Sequence, residues 1–465
     1  MTTTCKGTGV MMQRFKSKTQ ARKLELHLHD LRFEGGRGCS WRSLLVVLGL
    51  LAIGISGGAL PLGGCTKKKP QPPKNDGAST KRARDDGEAR PAARARPRPR
   101  PIAPLTKRSG VRVLVLEGGP EKRGRVQGTL LKKEIQTVVK KYVQGFLYRY
   151  MGGKEIVRVV ASSAEASLAN GTKAEMKALA KAAGVSYEDI LVLNTHVDSM
   201  SSACSTVAVT SKATVEKKTL LARNLDWPAP PDMNHLAVLT VVRDPEKANY
   251  ANFTFPGFLG LLTAMNGSGL TVSMNVSAAK DAARLCVPTP LLLRNALMSS
   301  STVDEFFKKL EGAKRCSGFI ITAADKKGGV EVLEYSASHS ARRAPDHEVL
   351  SSTNHFRTKA MKRQQIGGTR GSKKRLSTLQ NNCTYMKGTP LSAKDLKAAL
   401  TTQPVFNKKT LMSVVACPKE GWLELWQRGE PKGRFARLEI SKLLSGEIPV
   451  SEALPLGSDT LKDLD

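Results

Sequence analysis

From Val111 onward, hydrophobic and polar residues alternate in the manner of folded secondary structure. A segment reading VRVLVLEG begins there and predicts a strand, while Glu121–Met151 and Thr172–Ala183 repeat apolar residues at helical spacing. Ser186 stands where the N-cap of a further helix, ending near Leu193, is expected. The chain from residue 111 to 203 is therefore predicted to be mainly helical.

Strand patterns dominate after residue 204. The predicted strands read STVAV, TLLAR, LAVLTVV, ANFTF, GLTVSMNV, GFIITA, VEVLEY and WLELW. Helices are predicted at Pro290–Met298, Thr302–Leu310 and Ser392–Leu400, and Glu305 and Asp395 are spaced to close capping boxes at the last two. Many turn-linked strands with helices grouped between them favour a layered α+β fold over a regular βαβ sheet.

Charge is concentrated in two segments outside this patterned region. The 465 residues include 74 Lys and Arg against 40 Asp and Glu, and residues 1–43 and 66–110 carry net charges of +6 and +10. Such runs are typical of solvated tails. A hydrophobic content of 40% excludes a wholly disordered chain and a collagen-like chain. With only 5% aromatic residues, base-stacking modules are disfavoured, and we expect no specific nucleic-acid partner.

An uncharged stretch of nineteen residues, 44–62, lies between the two basic segments. Arg37 and Arg42 precede it, and glycines and a proline crowd its second half, which is typical of a signal peptide. Its end, Leu62-Gly63-Gly64-Cys65, resembles a bacterial lipobox, in which the cysteine is lipidated and becomes the first residue. We therefore predict a lipoprotein signal region over residues 1–64 with lipidation at Cys65, and an uncleaved membrane helix is the alternative.

A proline-rich and arginine-rich segment follows, from residue 65 to 110. It contains eight prolines and the run RARPRPRP, which favour an extended, disordered, solvated linker. A wall-binding or nucleic-acid-binding arm is the alternative. The expected location is the bacterial cell envelope, with the membrane reached through the lipid anchor. Thr66 after the lipidated cysteine favours the outer membrane if the organism has one.

Several common catalytic and binding motifs are absent from the sequence. It has no phosphate-binding P-loop, no H-E-x-x-H zinc motif and no G-x-S-x-G elbow, and no two cysteines form a C-x-x-C pair. We therefore expect no metal and no organic cofactor. Five cysteines remain beyond the signal region and the lipidated Cys65: Cys204, Cys286, Cys316, Cys383 and Cys417. Both two disulfides with one free thiol and five free thiols are open.

Cys204 has the neighbourhood of a nucleophile. It begins the predicted strand that follows the helical part of the chain, and Arg223 and Asp226 lie at the end of the next predicted strand. If the two strands pair as a hairpin, the guanidinium and the carboxylate return toward the thiol.

Seven short segments, including these residues, occur in an order that resembles a known family. The resemblance is to the autoproteolytic N-terminal-nucleophile (Ntn) amidohydrolases of the penicillin acyltransferase type, related to choloylglycine hydrolases and acid ceramidase, and it spans about residues 111–440. The segments are Ala203-Cys204-Ser205-Thr206, Arg223-Asn224-Leu225-Asp226-Trp227, Pro256-Gly257, Ala264-Met265-Asn266-Gly267-Ser268-Gly269-Leu270, Met274-Asn275, Ser352-Thr353-Asn354-His355-Phe356 and Ser372-Lys373-Lys374-Arg375.

The resemblance implies a four-layer αββα fold that is made as an inactive precursor. The thiol of Cys204 attacks the carbonyl of Ala203, and hydrolysis then leaves Cys204 with a free α-amine. That amine, with a pKa of roughly 7.7–8.0, serves as the base for the same residue's thiol. Cleavage then gives two fragments that stay associated: one runs from Cys65 to Ala203 and contains the helical part of the domain, 111–203, and the other is the strand-rich part, 204–465. Ala203 departs from the glycine that many relatives carry before the nucleophile.

The resemblance also implies roles for other residues. Asp226 holds the new α-ammonium, and Arg223 favours the thiolate. The Asn354 side chain and the main-chain N–H near Asn275 stabilise the oxyanion, and Arg375 matches a further arginine near the site. The implied reaction is hydrolysis or acyl transfer on a linear, non-peptide amide C–N bond, with an N-acyl amide or acyl donor as the small-molecule partner.

Two alternatives to this enzyme remain at the level of sequence. One is a catalytically inactive lipoprotein that keeps the fold as a binding module. The other is a Cys/His peptidase that uses His196 or His355, which the lack of a local cysteine signature disfavours. A set of apolar residues is predicted either to line an acyl pocket or to belong to the core: Phe253, Phe255, Phe258, Leu259 and Leu262.

Overall fold

A computed structural model of the chain describes residues 105–108, 110–283, 285–385 and 389–447. The predicted signal region, the lipidation site at Cys65 and nearly all of the predicted linker lie outside the described residues. Among the described residues, no helix is both long and apolar enough to cross a membrane.

The strands are numbered in chain order. They are β1 (Leu105–Arg108), β2 (Val111–Glu117), β3 (Ser205–Val209), β4 (Leu220–Asp226), β5 (Val238–Arg243), β6 (Tyr250–Thr254), β7 (Thr263–Asn266), β8 (Thr271–Val276), β9 (Phe319–Ala324), β10 (Val330–Tyr335), β11 (Ser340–Arg343), β12 (Val349–Ser352), β13 (Thr410–Cys417), β14 (Trp422–Gln427) and β15 (Ala436–Glu439).

The helices are numbered in the same way. They are α1 (Pro120–Leu130), α2 (Lys132–Thr137), α3 (Tyr148–Tyr150), α4 (Lys154–Glu165), α5 (Asn170–Ala183), α6 (Tyr187–Thr195), α7 (Thr289–Leu297), α8 (Val303–Glu311), α9 (Lys359–Lys362), α10 (Arg370–Asn382), α11 (Ala393–Thr401) and α12 (Ile440–Ser445). A π-helical segment, Val138–Leu147, joins α2 to α3, and short 3₁₀ turns occupy His196–Ser199, Ser211–Ala213 and Pro231–Met233.

The strands form two sheets. Nine strands pair in the order β1-β2-β5-β6-β7-β8-β9-β10-β11, and six pair in the order β12-β3-β4-β13-β14-β15. Neighbouring strands are antiparallel except β2 and β5, which are parallel. The predicted hairpin of β3 and β4 is present, with Thr206 opposite Arg223.

Polar contacts between strands show that the two sheets pack face to face. Thr206 Oγ1 on β3 lies 3.3 Å from Ser273 Oγ on β8, and Thr322 Oγ1 on β9 lies 3.0 Å from Ser352 Oγ on β12. Helix α1 packs on β2 and α8 on β10, so these helices cover the nine-stranded sheet. Helices α10 and α11 pack on the six-stranded sheet. The predicted α+β class is confirmed as two sheets flanked by helices.

Side chains alternate along β3 as the period of a strand requires. Ala208 belongs to the large apolar cluster shared by the two sheets, whereas Val207 and Val209 belong to a second cluster. The second cluster includes Leu379 of α10 and Leu396 of α11. Even-numbered residues of β3 therefore face the other sheet, and odd-numbered residues face these two helices.

The predicted helix over 121–151 is confirmed, with a break at Leu131 and a π-helical segment within it. The Ser392 capping box is confirmed because Asp395 accepts from the Ser392 amide. The one predicted at Thr302 is half formed: the Thr302 hydroxyl accepts from the Glu305 amide at 3.3 Å, but the Glu305 carboxylate accepts from the amide of Ser301 instead of that of Thr302. Several elements were not predicted, among them β13, α4, whose IVRVV run of mostly β-branched residues also suits a strand, and α10, which is strongly polar.

The cysteines follow neither of the two patterns considered from the sequence. Cys286 and Cys316 form a disulfide. Cys204, Cys383 and Cys417 are buried free thiols among the described residues. One disulfide joins the loop after β8 to the start of β9, and Cys204 keeps the free thiol that a nucleophile requires.

Candidate active site

Cys204 lies directly before β3, at the open end of the β3–β4 hairpin. The ladder pairs Ser205 with Asn224, and one further hydrogen bond, from the Ala203 amide to the Asp226 carbonyl at 3.1 Å, continues it past the strand. The peptide bond between Ala203 and Cys204 is therefore held against the end of β4 by its main chain.

The sulfur of Cys204 is buried and faces a guanidinium. Arg223 Nη2 donates to Sγ at 3.5 Å, and Ser202 Oγ lies 3.4 Å from Sγ. Strand alternation explains this contact, because Cys204 and Arg223 both project toward the nine-stranded sheet. There, Arg223 also donates to Thr263 Oγ1 and to the Met274 carbonyl, at 2.9 Å and 2.8 Å.

Burial lowers the pKa of Arg223, and the charge of the neighbouring sulfur opposes this shift. A guanidinium remains protonated at any pH at which proteins are studied. Arg223 therefore supplies a fixed positive charge beside Cys204. Such a charge stabilises a thiolate, which is the nucleophilic form of cysteine.

The carboxylate of Asp226 is fully buried on the opposite side of β4 from the sulfur. It accepts from Asn407 Nδ2 at 2.6 Å and from Thr410 Oγ1 at 2.7 Å. Burial raises the pKa of Asp226 to about 6, against the opposing effects of these hydrogen bonds and of nearby arginines. The hairpin thus brings the Asp226 main chain to Ala203, whereas its carboxylate, which was predicted to return toward the thiol, is hydrogen-bonded to Asn407 and Thr410.

Arg375 of α10 occupies the centre of the site. Its Nη1 donates to the main-chain oxygens of Ala203 and Cys204 and to Ser205 Oγ, the last at 3.0 Å. Its Nη2 donates to Asn354 Oδ1 at 2.9 Å. Burial lowers the pKa of Arg375, whereas Asp226 and the Cys204 sulfur favour its charge. The cation therefore lies directly on the carbonyl that precedes Cys204.

Asn354 follows β12 and is linked to the nucleophile through Ser202. Its Nδ2 donates to the Val276 carbonyl at 2.8 Å and to Ser202 Oγ at 3.4 Å. Its main-chain amide donates to Ser372 Oγ at 2.7 Å. In the intact chain, the Asn354 side chain therefore lies beside Ser202, directly before Ala203.

Asn275 has a different position from the other predicted site residues. Its side chain accepts from Thr206 Oγ1 at 3.2 Å and donates to Ser352 at 3.4 Å, so it joins three strands across the space between the sheets. Its main chain continues β8 opposite Ile320 of β9. The Asn275 side chain is therefore committed to sheet packing, and the role implied by the resemblance concerns only the main chain in this region.

The two histidines considered for a Cys/His peptidase have partners other than Cys204. The Nδ1 of His196 donates to the Leu193 carbonyl at 2.9 Å, and its Nε2 accepts from the Tyr142 hydroxyl at 2.9 Å. Burial lowers the pKa of His196 to about 4, so the ring is neutral at pH 7. His355 lies 2.7 Å from Ser372 Oγ through Nδ1. In the described part of the chain, neither ring is positioned to activate the thiol.

A small apolar cavity of about 30 Å³ adjoins the end of β4. Leu225 and Trp227, which flank Asp226, form part of its wall. The other lining residues are Tyr142, Leu193, His196, Val197, Ala229, Met233, Phe255, Phe258, Leu262 and Leu411. Three of the five residues predicted for a pocket or core line this cavity, whereas Phe253 and Leu259 do not.

Within the described ranges, no group of three His, Cys, Asp or Glu side chains is arranged to hold a metal ion. The functional groups that surround Cys204 are instead two guanidiniums, one carboxylate and one carboxamide. Three further residues bind these groups: Asn407 and Thr410, which donate to Asp226 and which no motif in the sequence distinguished, and Ser205, which belongs to the segment around the nucleophile.

A family model of acyl-coenzyme A:6-aminopenicillanic acid acyl-transferase matches residues 214–410, a range that contains Arg223, Asp226, Asn354 and Arg375. Curated relatives include an uncharacterized protein of Archaeoglobus fulgidus, 24% identical over 275 residues, with 51% of this chain and 46% of that one covered. Another is protein dcd1A of Dictyostelium discoideum, 26% identical over 260 residues, with 49% and 58% covered. The chain thus spans about half the length of the curated relatives it matches.

Among solved structures, the chain is similar to an N-acylethanolamine-hydrolyzing acid amidase ortholog of Caenorhabditis elegans, at 18% identity and a TM-score of 0.36, with 46% of this chain and 93% of that chain covered. It is also similar to penicillin V acylase from Agrobacterium tumefaciens, at 13% identity and a TM-score of 0.36, with 51% and 87% covered.

Proposed function

We propose that this chain is a self-processing cysteine Ntn hydrolase or acyltransferase that acts on linear amides through an acyl-thioester on Cys204. The observation that carries the proposal is the buried thiol of Cys204, 3.5 Å from the Arg223 guanidinium and directly after a carbonyl that Arg375 binds. The match of residues 214–410 to the acyl-transferase family model supports it.

Maturation begins with attack of the Cys204 thiolate on the Ala203 carbonyl. The amide becomes a thioester as the C–N bond breaks, and the thiol proton ends on the Cys204 nitrogen. Water then hydrolyses the thioester, which restores the thiol and leaves an Ala203 carboxylate. The two fragments stay together because cleavage of one peptide bond removes none of the apolar surface that the helices bury against the sheets.

The mature site uses the new α-amine of Cys204 as its base. The amine accepts the thiol proton near neutral pH, which a peptide nitrogen is unable to do. Asp226 holds the ammonium form, and the oxyanion of the substrate is stabilised by Asn354 together with a main-chain N–H near Asn275. Water as acceptor gives hydrolysis, and an amine as acceptor gives acyl transfer. The nucleophile, base and oxyanion donors are all protein groups, so the reaction requires no cofactor.

The apolar cavity beside Trp227 is the proposed site of the substrate's acyl group. Its polar side-chain atoms are already satisfied by one another, since Trp227 Nε1 donates to the Tyr142 hydroxyl and that hydroxyl donates to His196. Because the N–H and O–H donors of these groups are all engaged, a polar acceptor on the acyl chain finds no donor among them, and the cavity favours an apolar chain.

Trapping of the acyl-enzyme tests this proposal. The processed protein, incubated with N-acyl amides that share one amine and differ in acyl chain, is expected to gain the acyl mass on the fragment that begins at Cys204. Hydroxylamine is expected to remove the added mass because it cleaves thioesters. A protein that splits normally yet forms neither adduct nor free amine with any member of the series is instead an inactive binding module.

Membrane attachment is a separate proposal, motivated by the lipobox-like sequence before Cys65. The full chain expressed in a bacterium is expected to incorporate labelled palmitate and to fractionate with the envelope. Cys65→Ala is expected to abolish the labelling, and Cys39→Ala is the matched control. Equal labelling of the Cys65→Ala variant would disprove lipidation at this residue.

A further inference from the structure

The contacts of Arg375 assign it a role in maturation. We propose that Arg375 is the catalytic residue that stabilises the oxyanion formed on Ala203 during self-cleavage, which rests on the proposed self-processing at Cys204. Nη1 of Arg375 already donates to the Ala203 oxygen in the intact chain. That oxygen is the atom on which negative charge develops when the thiolate attacks.

The charge movement in this step matches the position of the guanidinium. A bond forms between Cys204 Sγ and the Ala203 carbonyl carbon, and the π electrons of the carbonyl move onto its oxygen. This electron pair then re-forms the carbonyl double bond as the bond between the Ala203 carbonyl carbon and the Cys204 nitrogen breaks. A donor that is on the oxygen before the reaction needs no reorganisation during it, which is the condition under which oxyanion stabilisation is most effective.

The other polar groups of the site are directed elsewhere in the intact chain. Asn354 Nδ2 donates to the Val276 carbonyl and to Ser202 Oγ, and its Oδ1 accepts from Arg375. Arg223 donates to the sulfur, to Thr263 and to the Met274 carbonyl. Each arginine therefore lies beside a different atom that becomes negatively charged during the reaction: Arg223 faces the thiolate, and Arg375 faces the oxyanion.

The guanidinium of Arg375 is fixed in place by more than the carbonyl it acts on. It is buried, with 6% of its surface exposed, and it also donates to Ser205 Oγ and Asn354 Oδ1. Leu379, one helical turn further along α10, is packed in the apolar cluster under the six-stranded sheet. The planar guanidinium, held by several hydrogen bonds, keeps its orientation toward the Ala203 oxygen. A lysine ammonium at this position would supply only a point charge.

A time course of processing tests this role. The full chain is synthesised in a cell-free system, and conversion of the intact chain into two fragments is followed on denaturing gels. Arg375→Gln is expected to slow the conversion by about 100-fold or more, the usual effect of losing an oxyanion donor. Arg375→Lys is expected to retain part of the rate, and Lys374→Gln, an exposed neighbour on α10, is expected to match the wild type.

Chemical rescue separates catalysis from a structural role. Guanidinium ion at millimolar concentration is expected to accelerate processing of Arg375→Ala at least tenfold, and not to accelerate the wild type or Cys204→Ala. Urea at the same concentration controls for denaturant effects. A packing defect is not repaired in this way.

The results separate the proposed role of Arg375 from the proposed self-processing at Cys204. A wild type that stays intact contradicts the self-processing itself. A wild type that splits, with Arg375→Gln splitting at the same rate, overturns the role of Arg375 alone. If Arg375→Ala and Arg375→Gln fail to fold, Arg375→Lys decides, since it keeps the buried charge, and an unchanged rate in that variant overturns the inference.

Discussion

Asn354→Ala is expected to lower kcat by about 100-fold or more once the protein is processed, because it removes one of the two proposed oxyanion donors. KM is expected to change far less, since the lost interaction is made mainly with the transition state. Turnover is measured per processed molecule, with the processed fraction read from a denaturing gel. Asn382→Ala, an exposed residue at the end of α10, is the matched control.

Asp226→Asn belongs to the same experiment and tests the proposed anchor of the new amine. The substitution keeps the size of the side chain and removes the charge that pairs with the α-ammonium of Cys204. A comparable loss of kcat is expected, with a melting temperature close to that of the wild type as evidence of folding. Unchanged turnover in both Asn354→Ala and Asp226→Asn would mean that the chemistry takes place elsewhere in the molecule.

The sequence predicted those parts of the site that depend on neighbouring strands. Cys204 and Arg223 lie on consecutive strands, so pairing of those strands is sufficient to bring them together. The same pattern misled the prediction for the Asp226 carboxylate. Residues three apart on a strand project to opposite faces, and the structure shows that Arg223 turns toward the sulfur while Asp226 turns toward Asn407.

Contacts that depend on distant parts of the chain were beyond prediction from local patterns. Arg375 reaches the Ala203 oxygen across a sequence separation of 172 residues, on a strongly polar helix that the hydrophobic pattern did not predict, and only the family resemblance placed Arg375 near the site. The apolar cavity is likewise formed by distant parts of the chain. Its walls come from the helical part, from β4, from the β6–β7 loop and from the start of β13, so periodicity alone did not separate Phe255 and Phe258, which line it, from Phe253, which does not.

Replacement of the nucleophile is expected to have the largest effect of all. Cys204→Ala lacks the sulfur that performs the N-to-S shift, and is therefore expected to remain a single inactive chain. Cys204→Ser is expected to split slowly, because a hydroxyl attacks the same carbonyl but is a poorer nucleophile at neutral pH. The buried free thiols Cys383 and Cys417 supply the matched controls, since Cys383→Ala and Cys417→Ala leave Ala203 and its neighbours intact.

N-terminal sequencing and mass analysis of the purified wild type test the central claim most directly. We expect two fragments that co-purify under native conditions and separate on denaturation, and the second is expected to begin at Cys204. The first fragment is expected to end at Ala203. An active preparation that contains only the intact chain, or one whose cleavage point lies away from the Ala203–Cys204 bond, would contradict the N-terminal-nucleophile mechanism.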